Sequence, residues 1–147
     1  MENIRCKQTI SKIYEHVLPT LAQHVNQNLT PIIPLFENFT LERVINTWTK
    51  DPDVYAPQEI SIENGNVQQM GLRVRLEGFN KPGVESFDIA KDLLFKLEHK
   101  NYTVGQGVDN IWLEKYYSEQ WEQADYEMIA DKWSEELIDI ITERLSV

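Results

Sequence analysis

The chain has a single cysteine, no basic run and no long apolar stretch, and each absence excludes something. With Cys6 alone there is no internal disulfide framework and no multi-cysteine metal site, which fits a reducing compartment. The 14 lysines and arginines face 24 acids and are nowhere clustered. Basic clusters supply the phosphate contacts that dominate affinity for duplexes, so no direct duplex nucleic-acid binding is expected. The same imbalance, a net charge of -10, sets the chain against anionic lipid surfaces. No segment approaches the ~18 apolar residues that read as a membrane span. The first residues, Met1 to Gln8, are mixed in charge and lack the apolar core of a signal peptide. A cytoplasmic protein with no membrane association is therefore expected.

What is present supports a core. Of 147 residues 41% are hydrophobic, and four Trp, six Tyr and five Phe are among them. A chain of this length buries roughly 70% of its extended surface on folding. One α+β domain over residues 1–147 is expected. The charge is uneven: residues 114–147 hold ten acids against three bases.

Ile10, Ile13, Tyr14, Val17, Leu21 and Val25 recur at helical spacing, which predicts a helix over 4–27. Pro19 interrupts it and predicts a kink, or two helices meeting near Leu18. Thr30-Pro31-Ile32-Ile33-Pro34 is a breaker. Thr40 can cap a short helix through Trp48, with Leu41, Val44 and Ile45 on one side, although the same stretch suits a strand. Asp51-Pro52-Asp53 opens a loop to Pro57. Residues 59–63 alternate, Asn64-Gly65 is the signature of a type I′ turn, and Met70, Leu72, Val74 and Leu76 alternate again, which predicts a hairpin over about 58–79. After a turn at Asn80-Lys81-Pro82-Gly83, Ser86 can cap a helix to about Lys100 carrying Phe87, Ala90, Leu94 and Leu97. A second hairpin is expected over about 102–117, turning at 105–110. A final helix spans about Gln123 to Leu145, with Tyr126, Ile129, Trp133, Leu137, Ile140 and Ile141 inward and Asp131, Glu135, Asp139 and Glu143 outward. The sum is a two-layer sandwich: a mainly antiparallel sheet of two hairpins, helices on one face, and a long acidic C-terminal helix.

Few residues suggest chemistry. His16, His24 and His99 lack the three- or four-residue spacing of a helical zinc pair. Pro52-Asp53 with Glu98-His99-Lys100 has the letters of a metal-dependent nuclease, but the second triplet falls at a predicted helix end. Gly105-Gln106-Gly107 lacks the third glycine and the Lys-Ser/Thr of a phosphate loop. Arg5 and Lys7 flank Cys6, with no base named to activate it. The Asn-x-Thr triplets at Asn28, Asn38 and Asn101 have no secretory context. No cofactor or metal is expected. Two features remain: the aromatic cluster Trp112, Tyr116, Tyr117 and Trp121, and the acidic helix face.

These lead to a non-catalytic protein-binding domain: an adaptor, small chaperone or inhibitor. Asp131, Glu135, Asp139 and Glu143 would steer a protein partner, preferentially a basic one, and Trp112, Tyr116 and Trp121 would anchor it. A small-molecule module with an apolar pocket between sheet and helices is the first alternative, and a metal-dependent hydrolase or nuclease-like domain the second. From about Ile60 to Leu145 the element order and acidity resemble type III secretion chaperones. These are small acidic α+β dimers that hold an unfolded effector segment, so the resemblance implies a homodimer.

Overall fold

A computed structural model of the chain describes residues 3–47, 59–107 and 109–145. The chain is helical from Lys7 to Leu29, as α1 (Lys7–Lys12), a π-helical stretch (Ile13–Val17) and α2 (Leu18–Leu29). The break expected near Leu18 takes the form of this wide turn. Pro19 stands at the start of α2. It has no N–H, and its ring crowds the carbonyl of Glu15 four residues back. Widening the turn just ahead of it relieves both problems without ending the helix. Ile10, Ile13, Val17, Leu21 and Val25 all remain buried.

A 3-10 turn (Ile33–Leu35) leads into five strands: β1 (Phe36–Ile45), β2 (Gln69–Phe79), β3 (Ile89–Leu97), β4 (Asn101–Gly107) and β5 (Asn110–Tyr116). They form one antiparallel sheet in sequence order, and α3 (Gln123–Leu145) closes the chain. The α+β class and the long C-terminal helix stand as the sequence implied. No helix among the described residues is long and apolar enough to cross a membrane.

Three elements differ from the sequence reading. Residues 36–45 are a strand, not a helix. Phe39, Leu41 and Ile45 pair with Leu76, Val74 and Met70 on the inner face, and Arg43 takes the inner position between them. That arginine broke the apolar alternation and left Leu41, Val44 and Ile45 at helical spacing. On an edge strand it is tolerated because it reaches out: its Nη1 donates to the Tyr14 carbonyl (3.0 Å), and its guanidinium lies 4.3 Å from the Tyr14 ring centroid. The thread of the predicted helix beyond Thr47, including Trp48, and the loop at 51–57 lie outside the described residues.

The hairpin over 58–79 also does not form. Only its second arm, β2, is a strand, and β2 pairs with β1 and β3. Gly65 has a positive φ of 64°, but no non-glycine residue among those described does, so Asn64-Gly65 is not a type I′ turn. The asparagines close a local loop instead. Asn64 and Asn66 both donate to the Glu59 carbonyl, at 2.7 and 3.0 Å, and the Ser61 amide donates to Asn66 Oδ1 at 2.9 Å. Backbone–side-chain bonds of this kind compete directly with a strand ladder.

Third, residues 89–97 are β3 rather than a helix. Ile89, Leu93, Phe95 and Leu97 are buried at the two-residue period of a strand. The helical template fitted Ala90, Leu94 and Leu97, and burial against β2 and β4 decided between the two. This removes the helix between hairpins on which the resemblance to secretion chaperones rested.

One buried cluster joins the layers. Met70, Leu72, Val74 and Leu76 of β2 meet Leu93 and Phe95 of β3, and Ile129, Trp133, Leu137 and Ile141 of α3 close over them with Leu18, Leu21 and Val25. The other sheet face is polar, with Arg73 opposite Asp92 in a two-pronged ion pair (2.8 and 3.0 Å). At Gly71 the β2 and β3 backbones leave no room: a Cβ there would lie 1.8 Å from the Leu93 carbonyl oxygen. Gly71→Ala is therefore expected to cost about 3 kcal/mol in urea unfolding, because backbone rather than a side chain must move. Gly107→Ala, with nothing within 4 Å, should stay within about 0.5 kcal/mol of the parent.

Candidate functional site

The residues singled out by sequence divide into three places. On α3, Glu127, Asp131, Glu135, Asp139 and Glu143 follow one another at four-residue steps and are all exposed. Each step advances the helix by about 40°, so the row winds across the whole solvent side rather than forming a line. Asp131 is tied down, since Asn28 Nδ2 of α2 donates to its Oδ1 at 2.9 Å. No ion pair joins Glu135, Asp139 or Glu143 to a base among the described residues. On the same flank Ile138 and Leu145 are each 41% exposed.

The aromatic trio does not assemble into one patch. Tyr116 is 58% exposed, between the buried Lys115 and Tyr117. Trp112 does not follow simple alternation. The partners of Val104 and Gly105 are Leu113 and Ile111, so Trp112 is the extra residue of a bulge, and it packs on the margin of the core. The bulge uses Gly105, where a Cβ would meet the Asn110 carbonyl oxygen at 2.0 Å. Gly105-Gln106-Gly107 is thus the irregular end of β4, not a phosphate loop or a simple turn.

Trp121 lies on the helical side of the sheet, half-buried. Its Nε1 donates to Tyr102 Oη at 2.7 Å, and its ring stacks on Phe95 (centroids 5.9 Å apart) and tilts against Tyr126 (4.9 Å). It lines a cleft of about 260 Å³ between the N-terminal helix and the connection from β5 to α3. Ile13, Val17, Tyr102 and Tyr117 contribute buried surface to the cleft, with Trp121 and Tyr126 half-buried in its walls. Lys12 and His16 lie exposed on one lip, Glu119 and Gln120 on the other. Ile13, His16 and Val17 all belong to the π-helical stretch. Tyr117 Oη donates to the Glu98 carbonyl at 2.6 Å. A second depression of about 430 Å³ lies at Gln69, Arg73 and Leu94. Its polar groups satisfy one another, through Arg73–Asp92 and through Asn46 Nδ2 donating to Gln69 Oε1 at 2.9 Å.

The β5–α3 connection is held by a buried cation. Lys115 Nζ contacts Asp125 Oδ2 at 2.9 Å and donates to the Gln120 carbonyl at 3.1 Å. Asp125 Oδ2 also accepts the Glu122 amide at 2.8 Å, which satisfies one of the unpaired donors at the start of α3. Burial would raise the Asp125 carboxyl, but the Lys115 and Glu122 hydrogen bonds and the Lys115 charge hold it below its ordinary value. Burial pushes the Tyr102 hydroxyl up to about 12, with the Trp121 hydrogen bond opposing and the charges of Glu119 and Asp125 adding. Burial likewise raises Tyr117 and Tyr126, the latter against a hydrogen bond with Thr20.

The remaining candidates occupy structural places. His24 stacks on Tyr126 (5.7 Å, 6°), and His16 stands at the cleft lip. Glu98-His99-Lys100 forms the tight turn between β3 and β4, where Glu98 pairs with Lys96 at 3.4 Å and the His99 carbonyl accepts the Arg5 amide at 2.8 Å. Pro52-Asp53 lies outside the described residues. Cys6 precedes α1, and its amide donates to Thr9 Oγ1 at 3.0 Å. Burial alone would raise its thiol, but hydrogen bonds from Thr9 and Gln8 hold it below its usual value. Among the described residues no group of three or more His, Cys, Asp or Glu is placed to hold a metal ion. Comparison of the chain with protein-family models, curated proteins and solved structures finds no match in any of the three.

Two outcomes follow from these groups. Lys115→Met should lose about 1.5–3 kcal/mol in denaturant unfolding at neutral pH, the range for hydrogen bonds to charged groups. The carboxyl pKa is lowered by folding, so its stabilisation is present above the ordinary value of 3.8 and is lost as pH falls through the folded value. The gap between parent and variant should close over that acid range. In the alkaline range the sign reverses. Tyr102 is raised from 10.0 to about 12, so its contribution is complete below pH 10 and is lost as pH rises through about 12. Absorbance titration near 295 nm should show late ionisation of Tyr102 and Tyr117, coincident with loss of the fold. Tyr102→Phe should remove one of the late groups.

Proposed function

We propose that the protein is a binding domain that receives a basic, amphipathic protein segment along the outward side of α3. The observation that carries this reading is the position of Ile138 and Leu145. They are exposed, seven residues apart, and set among acids. Glu135 lies three residues before Ile138 and Asp131 seven before, so the first acids of the row flank the apolar pair, while Asp139 and Glu143 lie further round the helix. Isolated apolar residues on a surface are ordinary. An aligned pair at heptad spacing with acids on its flank fits a helical partner that places apolar residues on the pair and bases along the flank.

The energetics agree. Like charges four apart destabilise a helix by about 0.2–0.5 kcal/mol per pair. Among the five acids of the row there are four such contacts, and bases on a partner would offset these repulsions. With a net charge of -10, long-range attraction would raise the association rate, and burial of Ile138 and Leu145 would set the lifetime of the complex. In this reading Ile138 and Leu145 replace Trp112, Tyr116 and Trp121 as anchors, because the three aromatics do not share a surface.

Fluorescence anisotropy with a synthetic Lys/Leu amphipathic helical peptide tests it. Affinity should fall steeply with salt, and should drop at least tenfold both in Ile138→Ser and in the combined Glu135→Lys, Asp139→Lys, Glu143→Lys protein. Arg73→Glu, on the opposite sheet face, should leave it unchanged. Equal binding by the charge-reversed protein, or equal binding of a scrambled peptide of the same charge, would sink the reading.

A further inference from the structure

We propose that the cleft between the π-helical stretch and the β5–α3 connection is a binding site for a small, planar aromatic or heteroaromatic molecule of one or two rings that carries a hydrogen-bond acceptor. This rests on observations separate from the acidic face of α3.

The first is the source of the walls. Tyr102 comes from β4, Tyr117 and Trp121 from the β5–α3 connection and Tyr126 from α3. Four aromatic side chains from three segments converge on one space. Each is held by its own contact: Trp121 to the Tyr102 hydroxyl, Tyr117 to the Glu98 carbonyl, and Tyr126 against His24. Walls fixed in this way cost little to organise on binding. Fixed rings lining a hollow are the surface on which flat molecules stack.

Second, size selects the class. An apolar cavity of about 150 Å³ admits benzene. The cleft, at about 260 Å³ and open at its lip, accommodates one ring or two fused rings.

Third, one polar group is unspent. Tyr102 Oη accepts the Trp121 proton, and its own proton has no acceptor among the described residues. An acceptor atom on a ligand would take that proton and orient the ring. Around it, Glu119 and Lys12 on opposite lips offset one another, which favours a neutral ligand over a strongly charged one.

The π-helical stretch completes the site. Thr9, Ile13 and Val17 follow at four-residue steps and line the cleft, with Lys12 and His16 as a parallel row on the lip. A regular α-helix over the same residues would rotate Val17 in the opposite sense relative to Ile13. The wide turn that accommodates Pro19 thus also places this wall, and such turns recur at functional sites.

The test is a titration of the whole protein, followed by ¹H–¹⁵N NMR, with indole, para-cresol, cyclohexanol and choline as probes. Para-cresol should bind in the millimolar range or tighter, and should shift the Trp121 indole resonance and the Tyr126 amide. Indole, which has no acceptor, should bind at least threefold more weakly than para-cresol. Cyclohexanol and choline should bind at least tenfold more weakly. In Tyr102→Phe the preference for para-cresol over indole should disappear, and Tyr126→Ala should weaken both at least fivefold. The mapping on the unaltered protein decides the location even if a variant fails to fold. Shifts confined to another surface, no binding of para-cresol at millimolar concentration, or choline or cyclohexanol binding as well as the aromatic probes would each overturn the proposal.

Discussion

A lysine on the wrong side of an edge strand organises half of this molecule. Lys115 sits in β5 at an inward position, next to Tyr102 on β4, and is buried. An ammonium taken out of water demands charged and hydrogen-bonding partners. Both partners, the Gln120 carbonyl and the Asp125 carboxylate, come from residues just beyond the strand. Satisfying the lysine therefore folds residues 117–125 back over the end of the sheet. The same Asp125 oxygen accepts the Glu122 amide, so the start of α3 is set in the same stroke. From that point the period of the helix decides the rest. Ile129, Trp133, Leu137 and Ile141 turn inward, and the acids turn out. The fold-back also lays Trp121 on Phe95 and against Tyr102. The acidic face and the aromatic cleft both descend from one buried charge.

The parts of the fold legible in the sequence are those where one periodicity fits and the other fails. In α3, 23 residues repeat at helical spacing, with an acid in the first turn and a base in the last. In β2, the alternation of Met70, Leu72, Val74 and Leu76 admits no helix. Residues 36–45 and 89–97 fit both templates, and pairing with neighbouring strands, which no local window contains, settles them. The Asn64-Gly65 signal was genuine as a turn and wrong as a hairpin, because Asn66 and Asn64 bond to the backbone of residues 59–61 and use up the groups that a ladder needs.

The site was legible in a different measure. The acidic row follows from helical spacing alone. Trp112 and Tyr116 stand at even spacing in β5, but the bulge at Gly105 breaks the alternation between them, which no local pattern reveals. The cleft is drawn from residues 9–17, 102 and 117–126, and only the tertiary fold brings these together. One signal did exist. Lys115 alternates with Leu113 and Tyr117 on the face that must be inward, and a lysine there requires a nearby acid across the connection. Reading that demand places Asp125, and with it Trp121, over the sheet.

The acids of α3 consequently divide by role along its length. Asp125 and Asp131 face bonded partners, Lys115 and Asn28, that belong to the fold. Glu135, Asp139 and Glu143 lie beyond them, add mutual repulsion, and hold no basic partner among the described residues. Structure is anchored in the first turns of the helix, while the later turns carry charge that packing does not require. The apolar stripe from Ile129 to Ile141 is strong enough to keep those turns docked despite the repulsion. The exposed Ile138 and Leu145 fall in this second half. In this half of α3 apolar and acidic side chains lie exposed together, and the proposed docking of a basic segment rests on that coincidence.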